Sequence, residues 1–232
     1  MPAPAAARDA LKKAAAIHAV RFVEPGMTVG LGTGSTAIHA VREIARRYDA
    51  GELPGITTFA TSAEVARTAG EAGLPLLDQA GPALIDLTID GADEVDPDKN
   101  LIKGGGGAHL RERLVAVIAR ELVVIVDDSK LVQQLGRAFL LPVEVVSFGL
   151  RHTTRRVAAT GCEVQQRMKN GVPFVTDNGN LVLDCRYPGI NDPAGLQRAL
   201  DALPGVVDHG LFVGMAGRVV VGDASGSVRI LP

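Results

Sequence analysis

The chain has 232 residues, 47% of them hydrophobic, and a formal net charge of −2. This composition argues against a disordered or fibrous class and leaves no basic field to attract nucleic acid. Two cysteines without CxxC spacing argue against a disulfide framework or a zinc site. The N-terminal stretch lacks a signal-peptide core, and no uncharged run approaches the length of a membrane span. We therefore expect a cytoplasmic protein without a nucleic-acid or membrane partner.

The first half of the chain alternates between strand and helix patterns. Helices are predicted over residues 5–23, 35–48 and 110–120 and from residue 62 onward, and strands over 27–31, 56–60, 84–89 and 122–126. The last of these strands is apolar throughout, as expected where both faces of a sheet are covered. The alternation predicts an α/β fold with a mostly parallel sheet and helices on both faces.

After about residue 136 the pattern changes. Strands are predicted over 142–148, 163–167 and 180–185, and helices over 152–159 and 192–203. Asn178-Gly179 indicates a hairpin turn. We therefore predict a small α+β domain over residues 136–205. Residues 206–213 and 218–221 are again strand-like and are expected to return to the first sheet, so the larger domain would comprise residues 1–135 and 206–232.

A glycine-rich turn follows the first predicted strand, at residues 30–37. Glycines let a backbone approach an anion closely, and the N-terminus of the next helix offers free N–H groups. A P-loop requires lysine where Ser35 stands, and a dinucleotide fingerprint requires glycine there. The turn therefore disfavours a nucleotide and is compatible with a monophosphate. A glycine turn with a helix cap that binds nothing is the alternative.

Four carboxylates follow the third predicted strand: Asp90, Asp93, Glu94 and Asp96. Open α/β sheets bind ligands at the carboxyl ends of their strands, and closely spaced carboxylates suit proton transfer. The spacing lacks the order of a calcium-binding EF-hand loop. A solvated acidic turn is the alternative.

Lys103 and the four glycines at 104–107 form the most unusual stretch. Consecutive glycines are costly in conformational entropy, and they suit a backbone that wraps a ligand with N–H donors. Glu112, near the start of the following helix, is a candidate base. His109 is interpreted as a structural residue. Lys130 follows another apolar strand and either completes an anion site or lies on the surface.

Five motifs in consistent order resemble ribose-5-phosphate isomerase, type A. They are LKKA at 11–14, GTGSTA at 32–37, DGADE at 90–94, KGGG at 103–106 with Arg111-Glu112, and DDSK at 127–130. TDNGN at 176–180, PGVV at 204–207 and HGLF at 209–212 also resemble the family, so the likeness covers nearly the whole chain. It implies a Rossmann-like large domain with a smaller inserted α+β domain. It also implies a homodimer or homotetramer that needs no metal or other cofactor.

The resemblance implies a role for each candidate residue. Glu112 would be the base that moves a proton between C1 and C2, with Asp90, Asp93 and Lys103 around the reacting oxygens. The substrate-binding residues it implies are Lys12, Thr33, Gly34, Ser35, Thr36, Asp90, Gly91, Ala92, Asp93, Lys103, Gly104, Gly105, Gly106 and Lys130. One departure is His109-Leu110, where some members of the family carry Leu-Thr.

The implied activity is the interconversion of D-ribose 5-phosphate and D-ribulose 5-phosphate through an enediolate, in the non-oxidative pentose phosphate pathway. Since the substrate is a weak carbon acid, an aimed base and a stabilised oxyanion are both needed. Rival interpretations are an amino-sugar phosphate deaminase or a phosphogluconolactonase. A sugar-phosphate sensor without catalysis and a structural interaction module belong to other classes.

Overall fold

The structure, a computed structural model, describes residues 5–223 and 226–231. Residues 1–4, 224–225 and 232 of the predicted larger domain lie outside the described residues. The chain divides into two compact units. The first, as far as it is described, holds residues 5–91, 111–130, 215–223 and 226–231, and the second holds Ala92–Leu110 and Leu131–Gly214. The inserted domain over residues 136–205 stays a prediction, because a division into compact units does not identify parts that fold independently.

The helices of the described chain are α1 (Ala5–Val20), α2 (Ala37–Asp49), α3 (Ala63–Glu71), α4 (His109–Val117), α5 (Leu150–Ala158) and α6 (Pro193–Asp201). The strands from the first half are β1 (Thr28–Leu31), β2 (Thr57–Ala60), β3 (Leu87–Gly91), β4 (Glu94–Val95), β5 (Leu101–Ile102) and β6 (Leu122–Asp127). The later strands are β7 (Leu141–Val145), β8 (Glu163–Gln166), β9 (Met168–Lys169), β10 (Val172–Pro173), β11 (Leu181–Arg186), β12 (Val206–His209), β13 (Leu211–Phe212), β14 (Arg218–Gly222) and β15 (Val228–Leu231). No helix within the described residues is long and apolar enough to cross a membrane.

The first unit contains a six-stranded sheet in the order β15-β14-β6-β3-β1-β2. All neighbouring strands pair in parallel except β15, which pairs antiparallel with β14. Val29 and Leu31 of β1 point into a core shared with apolar residues of α1, α2 and α3. Gly30 faces the opposite side, where Val115 of α4 lies against it. The predicted mostly parallel sheet with helices on both faces is therefore confirmed.

Local sequence explains where the helices of this unit begin. α2 buries Ala37, Ala40, Val41, Ile44 and Ala45, which recur at helical spacing. It begins two residues later than predicted, because Gly34 still has a left-handed φ of 111° and continues the turn. The α3 helix begins after Ser62, whose hydroxyl accepts a hydrogen bond from the backbone N–H of Val65 at 3.2 Å.

The second unit contains a four-stranded antiparallel sheet in the order β12-β7-β11-β8. Val157 of α5 and Leu200 of α6 join its apolar core. A three-stranded sheet, β13-β5-β4, and the β9–β10 hairpin belong to the same unit. The expectation that residues 206–213 return to the first sheet is wrong, because β12 pairs with β7 and β13 pairs with β5. Hydrophobic alternation indicates a strand without specifying its partner; only β14 and β15 return to the first sheet.

Two Asn-Gly turns shape the strands of the second unit. At the predicted turn, Gly179 has a φ of 81°, the Thr176 N–H donates to the Asn180 carbonyl, and Val175 bridges Leu181 in antiparallel fashion. The predicted turn is therefore confirmed. A second turn, Asn170-Gly171, joins β9 to β10 with φ values of 54° and 80°. It carries the same turn signal, so it was equally predictable.

The two cysteines lie together in the second unit, with Cys185 buried and Cys162 partly exposed. The neighbouring Cys185 thiol lowers the pKa of Cys162 to about 7, and the proximity of Cys162 together with burial raises the pKa of Cys185. Because the thiolate is the reactive form, we expect iodoacetamide at pH 7.5 to modify Cys162 first and Cys185 only after unfolding. Mass spectrometry of peptides from a time course measures both rates.

Cys162→Ser is the matched control, since it should abolish the fast modification. If the rate at Cys162 in the folded protein instead rises only near the ordinary thiol pKa of about 8.5, the interaction between the cysteines is not the one described.

Candidate active site

The glycine-rich turn and the Asp90 carboxylate form one packed arrangement in the first unit. β1 and β3 are neighbours, and a Cβ on Gly32 would stand only 2.2 Å from Asp90 Oδ1. Only glycine lets the turn approach this closely. Asp90, which is 1% exposed, accepts hydrogen bonds from the backbone N–H of Thr33 at 3.1 Å and of Gly91 at 2.7 Å. The turn therefore holds a buried carboxylate in a defined orientation.

The hydroxyl of Thr33 is held by two residues that follow β2. It lies 2.7 Å from Thr61 Oγ1 and donates to Ser62 Oγ at 2.9 Å. Thr61 in turn donates to the Leu31 carbonyl, which closes the network around the end of β1. Sequence reasoning did not select Thr61 or Ser62, although two hydroxyl residues at the carboxyl end of a parallel strand were an available signal.

Lys12 of α1 reaches the same turn from outside the sheet. Its Nζ donates to Ser35 Oγ at 3.1 Å, although the two residues are 23 positions apart. Gly34 and Ser35 are exposed, and Thr36 precedes the first turn of α2 without a side-chain cap. An ammonium group, hydroxyls and a helix N-terminus thus converge, which is a suitable environment for a phosphate group.

The carboxyl ends of β1, β3 and β6 lie at one edge of the parallel sheet, here called the carboxyl edge. Lys130 ends the short 3₁₀ helix Asp128–Lys130, which directly follows β6. The Ser129 N–H donates to Asp127 Oδ1 at 3.1 Å and shapes this turn. Asp90 is the penultimate residue of β3, and the glycine turn and Lys130 follow the ends of β1 and β6, so all three belong to this edge.

Glu112 lies in the first turn of α4 and is 4% exposed. One turn later, Val115 packs against Gly30 in the middle of β1. Because a short connection leads from the end of α4 to the start of β6, the helix runs opposite to the strands and begins toward their carboxyl edge. Glu112 therefore provides a buried carboxylate toward the carboxyl edge of the sheet.

In the second unit, Lys103 and the glycine loop at residues 104–107 follow β5. Lys103 is 2% exposed, and its Nζ lies 5.5 Å from the centroid of the Phe212 ring. The Asp93 Oδ2 accepts the N–H of Gly105 at 2.8 Å, so this carboxylate is bonded directly to the loop. Gly105 and Gly106 are exposed, so their backbone groups are accessible from solvent.

Glu94 has a structural role in the second unit, where it binds backbone N–H groups of the segment after residue 135. Its carboxylate accepts the N–H groups of Gly136, Ala138 and Phe139 at 2.6, 2.9 and 2.7 Å. It is buried, and three charge-assisted hydrogen bonds compensate for the burial. Of the four carboxylates in the acidic segment, this one anchors the chain after residue 135.

A further buried carboxylate of the second unit, that of Glu144, lies next to the His109 ring. Its Oε1 accepts hydrogen bonds from Thr176 Oγ1 at 2.8 Å, Asn180 Nδ2 at 2.9 Å and Asn178 Nδ2 at 3.2 Å. Its Oε2 lies 3.9 Å from His109 Nε2, and both side chains are fully buried. The TDNGN motif thus organises a polar network next to the glycine loop, and sequence reasoning did not select Glu144.

The sequence-predicted site residues fall into two sets. The first unit holds Lys12, Thr33, Gly34, Ser35, Thr36, Asp90, Gly91, Glu112 and Lys130. The second unit holds Ala92, Asp93, Lys103, Gly104, Gly105 and Gly106. The first set combines donors for an anion with two buried carboxylates. The second combines a lysine and backbone donors with a partly exposed carboxylate.

The first unit is an open α/β sheet whose carboxyl edge carries a glycine-rich turn, lysines and a buried carboxylate, an arrangement that suits the binding of a small phosphorylated ligand and the transfer of a proton. The family model of ribose 5-phosphate isomerase A (phosphoriboisomerase A) matches residues 57–226. The ribose-5-phosphate isomerase A of Chloroflexus aurantiacus is 50% identical over 216 residues, 93% of this chain and 90% of that protein. That of Bacillus mycoides is 44% identical over 217 residues, 93% of this chain and 97% of that protein.

Solved structures agree with these relatives. The ribose 5-phosphate isomerase of Plasmodium falciparum superimposes with a TM-score of 0.92 at 37% identity, over 96% of this chain and 98% of that one. A D-ribose-5-phosphate isomerase in complex with phospho-erythronic acid also has a TM-score of 0.92, at 35% identity over 95% of this chain and 97% of that one. This chain therefore belongs to the ribose 5-phosphate isomerase A family.

The contact between Gly32 and Asp90 generates a prediction. Because an added Cβ would overlap the Asp90 carboxylate, Gly32→Ala should displace it, lower turnover and cost about 1–3 kcal/mol of folding stability. Thermal unfolding and kcat measure the two effects.

Gly70→Ala in α3 is the matched control. Its added methyl would meet only Leu76 Cδ1 at an ordinary 3.6 Å, so stability and turnover should be retained. Equal behaviour of the two variants would contradict the role given to the close approach at Gly32.

Proposed function

We propose that this chain interconverts D-ribose 5-phosphate and D-ribulose 5-phosphate by moving a proton between C1 and C2 through an enediolate, in the non-oxidative pentose phosphate pathway. Membership of the ribose 5-phosphate isomerase A family supports the reaction. The observation that carries the mechanism is the buried Glu112 carboxylate in the first turn of α4, which packs on a sheet whose carboxyl edge carries the glycine-rich turn at residues 30–37. This combination supplies both a base and an anchor for the substrate.

The phosphate group is proposed to bind at residues 33–36 with Lys12 and Lys130. Lys12 already donates to Ser35, so its ammonium group lies at the turn, and Lys130 follows the end of β6. Binding a dianionic phosphate here orients the sugar before any bond changes. Such positioning converts binding energy into rate, because the reacting carbons are then held in one geometry.

Glu112 is proposed as the general base. A proton next to a carbonyl is only weakly acidic, so the base must be aimed at it, and general-base catalysis contributes roughly 10²–10⁴-fold. A buried carboxylate suits this role, because few water molecules compete for its lone pairs. The proton returns from Glu112 to the neighbouring carbon, so the carboxylate is regenerated in each turnover.

Lys103 and the N–H groups of the glycine loop are proposed to stabilise the enediolate oxygens. Positioned donors that meet a developing oxyanion often contribute more to the rate than any other catalytic group. Asp90 and Asp93 are proposed to pass a proton between O1 and O2, and Asp90 with Lys103 to assist ring opening. The relative described with phospho-erythronic acid supports this proposal, since that acid combines a phosphate with a carboxylate resembling an enediolate in charge.

The activity is tested with purified protein and ribose 5-phosphate in deuterated buffer that contains a chelator. Wild-type protein should form the ketose and incorporate solvent deuterium at the carbon that Glu112 protonates, followed by NMR. Glu112→Gln should bind substrate but lose roughly 10²–10⁴-fold in kcat. Glu64→Gln is the matched control, because Glu64 also lies in the first turn of a helix but is exposed.

Near-normal turnover by folded Glu112→Gln protein would remove Glu112 from the role of base. Absence of ketose with intact wild-type protein would overturn the proposed activity itself. Ammonia release from glucosamine 6-phosphate would then support the deaminase, and sugar-phosphate binding without turnover would support the sensor.

The phosphate site generates a second prediction for this mechanism. Lys12→Ala and Lys130→Ala should each raise KM at least about tenfold with a smaller effect on kcat, because a charge-assisted contact to the anion is lost. Lys13→Ala is the matched control, since Lys13 is the exposed neighbour of Lys12 on α1. An unchanged KM in both variants would move the phosphate to another part of the chain.

We also propose that the enzyme acts as a homodimer or homotetramer in the cytoplasm without a metal ion. Exposed apolar side chains support self-association, notably Phe148, 93% exposed, and Val117, 66% exposed on α4. Analytical ultracentrifugation of wild-type, Phe148→Asp and Val117→Asp proteins tests the oligomeric state. Unchanged activity after dialysis against a chelator tests the independence from metal.

A further inference from the structure

Arg167 makes an unusual contact with the glycine loop in the second unit. Its Nη1 donates to the carbonyl oxygen of Gly104 at 3.0 Å and to that of Gly105 at 3.1 Å. Arg167 lies directly after β8, 62 positions from Gly105 in the chain. One guanidinium nitrogen therefore binds two successive peptide carbonyls of the loop.

The guanidinium group is itself held in place. Its Nε lies 3.0 Å from Asp184 Oδ2, and its Nη2 lies 2.5 Å from Asp184 Oδ1. The two side chains are only 14% and 17% exposed, so water screens this pair less than a surface pair. Phe174 packs beside it, with the ring centroid 5.7 Å from Arg167 Cζ. A guanidinium group that forms two hydrogen bonds to one carboxylate has little freedom to rotate.

Peptide geometry carries this constraint across the loop. In a trans peptide the C=O and N–H groups point in opposite directions. The carbonyl of the Gly104–Gly105 peptide accepts from Arg167, and its N–H donates to Asp93 Oδ2 at 2.8 Å. This peptide therefore connects Arg167 on one side with Asp93 on the other.

The next peptide follows the same rule. The carbonyl of Gly105 also accepts from Arg167, so the N–H of Gly106 points away from the guanidinium group. Gly106 is exposed, and its N–H is therefore presented on the side of the loop opposite Arg167.

Glycines need such external contacts to hold one orientation. They have no side chain and the widest choice of backbone angles, so a peptide between glycines can rotate at little cost. Phe174 restricts the loop further, since its ring occupies the space 2.4 Å from where a Cβ of Gly107 would stand. Arg167 and Phe174, which lie between β8 and β11, thus provide the side-chain contacts that the glycine loop lacks.

We propose that Arg167, held by Asp184, is a positioning residue for the isomerase reaction: it fixes the peptides of the glycine loop so that the Gly106 N–H and the Asp93 carboxylate meet the reacting oxygens. This inference rests on the proposed function. It assigns a role in turnover to the Arg167–Asp184 pair, which touches no reacting atom. The competing explanation is that the pair only stabilises the sheet.

Three substitutions separate these explanations. Arg167→Met keeps the bulk of the side chain and removes its donors. Arg167→Lys keeps the charge, but its single nitrogen with three donors cannot replace the two bonds to Asp184 and the two bonds to the loop carbonyls that the guanidinium group forms. Asp184→Asn leaves Arg167 in place and weakens its anchor. Arg186→Met is the matched control, since Arg186 lies on the same β11 strand and is exposed.

A positioning role predicts a specific kinetic pattern. Arg167→Met and Arg167→Lys should lose about 10-fold to 100-fold in kcat, the cost expected of a misplaced catalytic group, while KM for ribose 5-phosphate changes less than about threefold. Asp184→Asn should show a smaller loss of the same kind. Affinity for phospho-erythronic acid should fall in parallel with kcat, whereas inhibition by inorganic phosphate should stay unchanged. Arg186→Met should match the wild type.

Chemical rescue adds a measurement that a structural role would not move. Arg167→Ala opens a space for a guanidinium ion, so millimolar guanidinium chloride should restore part of kcat, while equal sodium chloride should not. If Arg167→Met does not fold, Asp184→Asn and the rescued Arg167→Ala protein decide the question.

Two results would overturn the inference while the wild-type enzyme remains active. In one, kcat and the affinity for phospho-erythronic acid stay within about twofold of wild type in folded Arg167→Met or Asp184→Asn protein. In the other, activity falls only in proportion to the folded fraction and guanidinium restores nothing. Failure of the proposed function is a different outcome, because the wild-type protein would then form no ketose.

Discussion

The parallel pairing of β1, β3 and β6 is the constraint on which the first unit's site depends. Parallel strands end at the same edge, so residues that follow each of them meet there although they are far apart in the chain. Leu31 pairs with Ile89 and Gly91 with Ile125, which brings the glycine turn and the Asp90 carboxylate into direct contact. An antiparallel neighbour would have carried one of these groups to the opposite edge.

Glycine serves two different purposes in this chain. At Gly32 the absence of a Cβ allows close packing against Asp90, so the residue makes its surroundings more rigid. In the loop at 104–107 the absence of side chains exposes backbone donors, and it also leaves the peptides free to rotate. The close packing at Gly32 needs only a neighbouring strand. The loop needs external groups, and Arg167 and Asp93 bind opposite sides of the Gly104–Gly105 peptide.

Patterns of short range were readable from the sequence. Helical spacing in α2, the hydroxyl cap at Ser62 and the Asn-Gly turn at 178–179 all reflect interactions within a few residues, and each was predictable for that reason. The error at residues 206–213 has the opposite origin. A strand pattern specifies which face is apolar, while the partner strand depends on the folding of the whole second unit.

The sequence by itself determined the alternation of elements, the family, and which loops carry glycines, lysines and carboxylates. Those features follow from the local conformational preferences of the residues and from short motifs whose chemistry can be recognised in a few residues. Only the tertiary structure decided that Arg167 contacts Gly104, that Glu144 faces His109, and that Lys12 donates to Ser35. These contacts join residues separated by 63, 35 and 23 positions, and a contact over such a span depends on packing that no local pattern records.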